Sequence, residues 1–303
     1  MKRLALPCLI AALGAPASAS AWCRMTTSQD VPANPSDCIT AGTPLAWQQR
    51  CLSYSIDDRG SVDLTAAELQ PVLGASFDAW MQVRCGGQST GLVISETSSF
   101  SHCQDAEYHT KSGNVNTIAF VTDFAARMYP TNAYAITTVW HNTDTGEILD
   151  ADMLLNDQQR PYRVCPTGGC PLVGGYRAVD VVNVITHEAG HFLGLAHSAD
   201  TSSTMYYEAP RGEMTKRTLE ADDVAGLCAA YPPGSLSSAC DPTPRHGLAL
   251  DCSGSTSHKS GRCSASPGER PSPLAAVLLA VAATVTGARR LGASRRANGR
   301  PRA

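Results

Sequence analysis

The chain has 303 residues, 43% hydrophobic, 17% charged and 6% aromatic, enough apolar material for a real core and too much for a disordered chain or a coiled coil. Its formal net charge of −3 is uneven. Setting aside the two basic side chains of residues 1–21, and the seven Arg and Glu269 of residues 265–303, leaves 15 basic and 26 acidic side chains in 22–264, a net of −11. Such a body repels phosphate, so no nucleic-acid partner is expected.

In chain order, Met1-Lys2-Arg3, an apolar run over 4–13 and Ala17-Ser18-Ala19-Ser20-Ala21 describe a secretory signal peptide over residues 1–21, with cleavage after Ala19 or Ala21. Residues 22–44 form a short polar N-terminal segment without a period. Residues 52–56 alternate as a half-buried strand does. Residues 63–81 read as a helix: Thr65 with Glu68 makes a capping box, and Leu69, Leu73, Phe77 and Trp80 share a face. Pro71 within it argues for a later start. Strands are expected at 91–96, 117–121, 133–140 and 148–155, and helices at 180–193 and 218–230, the second capped by Thr218 and stopped by Pro232-Pro233. The class is α+β, with residues 45–233 as the main domain and 234–263 as a Cys/Ser/Gly/Pro-rich linker.

Residues 264–303 carry a different signal. The run 274–288 is uncharged and precedes Arg289, Arg290, Arg295, Arg296, Arg300 and Arg302. As a helix it spans about 22 Å against a hydrocarbon core of about 30 Å, a marginal membrane contact with the arginines on the cytoplasmic side. Gly261-Arg262-Cys263-Ser264-Ala265, the apolar run and the arginines resemble the MYXO-CTERM class of bacterial sorting tails, which implies processing at Cys263 and a cell-surface location. A plain single-pass anchor and an amphipathic surface tail are the alternatives. Outside the signal and Cys263, ten cysteines remain, an even number that suggests up to five disulfides in an exported body. Cys165 and Cys170 are close enough to close a local loop.

Chemistry concentrates in Thr186-His187-Glu188-Ala189-Gly190-His191-Phe192-Leu193-Gly194-Leu195-Ala196-His197-Ser198. Four residues apart on a helix, His187 and His191 stack on one face and can share one ion. Glu188 is rotated by about 100°, beside the ion rather than on it. Gly194 can take the positive φ that ends the helix and returns His197 as a third donor. Three imidazoles leave one zinc position for water, whose pKa falls toward about 7. Glu188 can take that water's proton and later deliver it to a leaving amine. Chance assembly of this spacing is about one in a hundred thousand, so unrelated core or surface histidines are set aside.

The motif, with Ser203-Thr204-Met205-Tyr206 downstream, resembles the metzincin metallopeptidases. The eight-residue spacer from His197 to Met205, and Ser198 after the third histidine, are similar to the matrixin branch. The resemblance runs over about residues 45–233. It implies a twisted mixed five-stranded sheet, an active-site helix and a C-terminal helix over 219–231 containing Asp222-Asp223. It also implies a substrate-binding edge strand over 146–156, Met205 as an apolar floor under the metal, and a hydrophobic pocket walled by residues 207–211. Tyr207 stands where astacins place a tyrosine that approaches the metal, so it is expected to assist the oxyanion or to pack in the wall. Matrixins bind a structural zinc through histidines before and along the edge strand. Asp150-Ala151-Asp152 has none, so only the catalytic Zn2+ is expected. Asp150, Asp152, Asn156 and Asp157 are a candidate Ca2+ cluster, against a reading as solvated acidic residues. Val83-Arg84-Cys85-Gly86 looks like the matrixin latency motif but lies inside the catalytic unit, so Cys85 is expected in a disulfide, with Cys103 as candidate partner. Whether Cys23 or Cys38 caps the zinc stays open.

The function expected is an exported zinc endopeptidase acting on protein or peptide substrates. The alternative is an inactive, metal-bearing surface adhesin or binding module, which would be free to lose Glu188. A purely structural zinc protein would need a fourth protein ligand. The other histidines (His102, His109, His141, His246 and His258) are expected at the surface, and Trp22, Trp47, Trp80 and Trp140 in packing.

Overall fold

The computed structural model describes residues 21–252 and the strand 274–282. The signal-peptide residues before Ala21, His258, Cys263 and the arginine-rich tail lie outside the described residues. After a two-residue strand, β1 (Cys23–Arg24), comes β2 (Cys51–Ile56), which is buried along its whole length. Helix α1 (Ala66–Met81) starts at Thr65, whose hydroxyl accepts from the Glu68 amide while the Glu68 carboxylate accepts from the Thr65 amide. Pro71 does not delay the start. It sits on the exposed side, where the carbonyl deprived of its partner can turn to water.

Strands β3 (Val93–Glu96), β4 (Thr117–Val121), β5 (Ala133–Asn142) and β6 (Ile148–Asn156) complete the sheet of the body, in the order β5-β6-β4-β2-β3. All pairs are parallel except β5 with β6, so the sheet is mixed as expected. Helix α2 (Val181–Phe192) and α1 share a core with the sheet. Phe77 stacks 4.8 Å from Tyr54 and meets Phe192 edge-on at 5.2 Å, while the Trp80 indole donates to the Thr186 carbonyl at 2.9 Å. A short strand β7 (Leu195–Ala196) pairs antiparallel with β1. The last helix, α3 (Ala221–Ala230), is capped by Glu220, not Thr218: the Glu220 carboxylate and Asp223 at the third helical position close a reciprocal box.

The strand equated with the substrate-binding edge is interior, because β6 lies between β4 and β5. Its residues say why. Ile148, Ala151, Met153, Leu154 and Leu155 are buried on both faces, the near-continuous apolar run of an internal strand. The edge of the body is β5, and its outer side carries a sixth strand, β8 (Leu274–Ala282), antiparallel, with Leu279 opposite Thr137. These nine residues were expected in a membrane-contacting helix. An uncharged run of Ala, Val and Leu suits an edge pairing equally, and periodicity does not separate the two. Among the described residues no helix is long and apolar enough to cross a membrane.

All ten cysteines of the body are paired: Cys23–Cys38, Cys51–Cys240, Cys85–Cys228, Cys103–Cys252 and Cys165–Cys170. The expected Cys85–Cys103 link is not formed. Cys85 follows α1 and meets α3, whereas Cys103 lies where the chain near Asp251 returns to pair with His102. Residues 234–252 are therefore no free linker. Two disulfides bind them to the domain, the Ser53 hydroxyl donates to the Pro242 carbonyl at 2.6 Å, and Arg245 pairs with Glu147.

Loop-closure entropy separates these staples. The Cys51–Cys240 link spans 189 residues and Cys165–Cys170 spans 5, which corresponds to about 5 against about 2 kcal/mol. Urea unfolding of the Cys51→Ala/Cys240→Ala variant is expected to show the larger loss than Cys165→Ala/Cys170→Ala.

Candidate metal centre and active site

Helix α2 begins at Asp180, whose carboxylate accepts from the Asn183 and Cys165 amides, both at 3.0 Å, and is clasped by Arg217. The helix is buried almost all round, with His187, Glu188 and His191 inaccessible to water. It stops at Gly194, where φ is +82° and a Cβ would lie 2.8 Å from the Leu45 carbonyl. That turn feeds β7 and brings His197 back.

The Nε2 atoms of His187 and His191 stand 3.1 Å apart, and donor atoms of His187, His191 and His197 lie within 4.8 Å of one another. Behind each ring is a backbone carbonyl. His187 Nδ1 is 2.6 Å from Thr204, His191 Nδ1 is 2.8 Å from Leu195, and His197 Nδ1 is 3.2 Å from Pro35. A carbonyl only accepts, so each Nδ1 carries the proton and each Nε2 turns a lone pair inward. Facing lone pairs repel, and the buried His197 Nε2 has no hydrogen-bond partner. Protons do not resolve this: burial, then the neighbouring imidazoles, hold His187 and His197 well below the usual histidine range, and burial brings His191 down to about 4. Three neutral nitrogens converging where protons are excluded fit a nitrogen-ligated cation such as zinc. Among the described residues no carboxylate or cysteine joins this group, which leaves a fourth position open.

Glu188 stands beside the three. Its Oε2 accepts from the Thr137 hydroxyl at 2.5 Å, and its Oε1 is buried without a partner. Burial pushes the carboxyl up to about 8, against the pull of Thr137. Thr137 had no signal in the sequence beyond its place in an expected strand.

Met205 is buried below the helix. A Cβ on Gly190 would lie 2.2 Å from the Met205 sulfur and 2.8 Å from Trp80 Cζ2, so the glycine inside the motif is what lets the turn approach. The turn hangs from the buried Asp223 of α3, whose carboxylate accepts from the Ser203 hydroxyl, the Thr204 amide (2.8 Å) and the Met205 amide (3.0 Å). From the sequence Asp223 is only an acidic residue in a helix. The Tyr207 ring lies 6.1 Å from that of His197, and its hydroxyl donates to Glu208 at 3.0 Å. The segment is held by the buried Lys216, whose ammonium donates to the Tyr206 and Glu208 carbonyls.

The four residues of the expected calcium cluster do not assemble. Asn156 donates to the Thr131 and Ala133 carbonyls, and Asp157 accepts from the Val62 amide at 3.0 Å. Both sit about 13 Å or more along β6 from Asp152. Asp150 and Asp152 stay together, buried on one face. Asp152 accepts from the Thr117 and Glu107 amides, whereas neither oxygen of Asp150 has a hydrogen-bond partner. Burial pushes both carboxyls well above the usual range, and Asp150 is raised further by Asp152. His141, expected at the surface, is buried on β5, while His102 pairs with Asp58 and His109 with Glu107. Cys23 and Cys38 are joined to each other, so neither offers a thiolate to the centre.

A mixed sheet, a histidine-bearing helix closed by a glycine turn, and a methionine turn beneath it together define a metallopeptidase domain of the metzincin type. The chain belongs to the matrixin family, whose peptidase M10 model matches residues 46–232. It is also similar to the Metalloendoproteinase 1-MMP of Arabidopsis thaliana, 48% identical over 56 residues that make up 18% of this chain and 15% of that protein.

The raised Asp150 carboxyl binds its proton more tightly in the folded chain than in the unfolded one, where Asp titrates near 3.9, so its ionisation destabilises the fold as pH rises. In divalent-free buffer Asp150→Asn is expected to melt higher than wild type at pH 8, with the difference vanishing near pH 4. Thermal melts across that range check it.

Proposed function

We propose that this chain is an exported zinc-dependent endopeptidase. The carrying observation is Glu188: a buried carboxylate with one oxygen fixed by Thr137 and the other unpartnered, beside three converging imidazoles. When bound by His187, His191 and His197, zinc supplies the Lewis acidity that brings a water's pKa toward about 7. Beside a cation the Glu188 carboxyl is drawn back to its ionised form, so that Oε1 accepts that water's proton as the water oxygen adds to the scissile carbonyl, and returns it to the amine nitrogen as the C–N bond breaks. Thr137 keeps Oε2 occupied so that Oε1 faces the reaction. Met205 and Gly190 set the depth of the helix. Export is supported by the signal-peptide pattern and the five disulfides.

An extended substrate would pair along β5, the strand that carries Thr137, in the place where β8 lies. Backbone hydrogen bonds of an edge strand serve one partner at a time, so peptide must replace β8.

The decisive experiment compares wild type with Glu188→Ala on a denatured protein, with and without chelator. Cleavage is expected to fall by about 10²- to 10⁴-fold in the variant at unchanged zinc content. Equal cleavage in both proteins would favour the inactive binding module. A chain ending at Cys252 is expected to show higher kcat/KM on peptides than the full chain, mainly through KM. Unchanged kinetics would remove β8 from the substrate's path.

A further inference from the structure

We propose that residues 23–38, closed by the Cys23–Cys38 disulfide, are a permanent strap of the metal centre that positions His197, and not a removable inhibitory segment. The inference rests on the metal-centre reading above. Two of the three Nδ1 atoms are held by carbonyls from the catalytic unit, Leu195 and Thr204, whereas the third, that of His197, faces Pro35. Without an acceptor there the His197 ring is free to rotate, or to exchange tautomers and turn a protonated Nε2 toward the metal.

The strap is anchored at its base. Cys23 and Arg24 pair with Ala196 and Leu195, the two residues directly before His197, and the Met25 amide donates to the Gly194 carbonyl at 2.9 Å. Its crown is not seated by packing. A cavity of about 280 Å³ lies between it and His197, lined also by Met25, Val31, Pro32, Ile39 and Ala196, and Val31 is 87% exposed. The position of the Pro35 carbonyl therefore depends on the two ends of the loop, which the disulfide fixes.

An inhibitory segment would direct a donor at the metal side of the centre. Here both cysteines are consumed by the disulfide, and the carboxylates of Asp30 and Asp37 are engaged by Ser28 and Asn34 within the loop. The loop meets His197 at Nδ1, the nitrogen that faces away from the other two rings' donors.

The test uses the full chain and two variants. Cys23→Ser/Cys38→Ser releases the loop, and Pro35→Gly loosens the carbonyl while leaving the disulfide intact. Zinc affinity is measured by chelator competition, and the His197 Nδ1–H proton is followed by NMR in the zinc-loaded protein. The expected result is about 10- to 100-fold weaker zinc binding in the disulfide variant and a smaller loss in Pro35→Gly. In both, the Nδ1–H resonance exchanges faster with solvent and kcat falls more than KM rises. Wild-type zinc affinity in Pro35→Gly and in the disulfide variant overturns the proposal. So does a gain of activity on opening the disulfide, or a loss confined to KM, which would make the loop a substrate wall. If the disulfide variant does not fold, Pro35→Gly alone decides. Failure of the wild type to bind zinc would instead remove the metal-centre reading itself.

Discussion

Three imidazole nitrogens are driven together in a water-free place, each with its proton drawn to the opposite side by a backbone carbonyl. Neutral lone pairs at 3.1 Å are not a stable end point, and much of the chain is arranged around keeping them there. The three carbonyls come from different segments: the methionine turn, the turn after α2 and the N-terminal loop. Each segment is itself tied down. Asp223 in α3 holds the first, the left-handed Gly194 shapes the second, and a disulfide closes the third. Loss of any tie would misdirect one nitrogen, so elements distant in sequence serve a single geometry.

The same economy governs the acidic side chains. A body with a net charge of −11 over residues 22–264 buries several carboxylates, and their treatment differs. Asp180 and Asp223 are surrounded by donors and hold loops in place. Glu188 has one oxygen satisfied and one not. Asp150 has neither oxygen satisfied. Removed from water, its carboxyl is pushed well above the usual range by burial, and its acidic neighbour on the strand, Asp152, raises it further.

The sheet has one edge that matters. Parallel pairing and cover on both faces account for β2, β4 and β6, whereas β5 runs antiparallel and exposes a ladder of backbone groups to whatever lies outside it. In this structure β8 fills that ladder, placing Leu279 opposite the threonine that anchors Glu188. Thr137 alone thus stands between the closing strand and Glu188.

Much of the centre was legible in the residues alone. A spacing of four on a helix, a glycine at the required turn and a third histidine single out His187, His191, His197 and the adjacent Glu188 by local geometry, whereas Met205 follows only from the resemblance to the metzincins. The capping box at Thr65, the helix bearing the histidines and the strands at 117–121 and 133–140 are likewise local, since propensity and period act within a dozen residues. What only the tertiary structure decided depends on contacts across the chain. The cysteine pairs other than the local Cys165–Cys170 loop, the interior place of β6, the burial of His141 and the roles of Thr137, Asp223 and Pro35 carry no periodic signature. Such partners are selected by which surfaces meet after folding. A hydrogen bond between residues 197 and 35 leaves no trace in the order of the amino acids around either one.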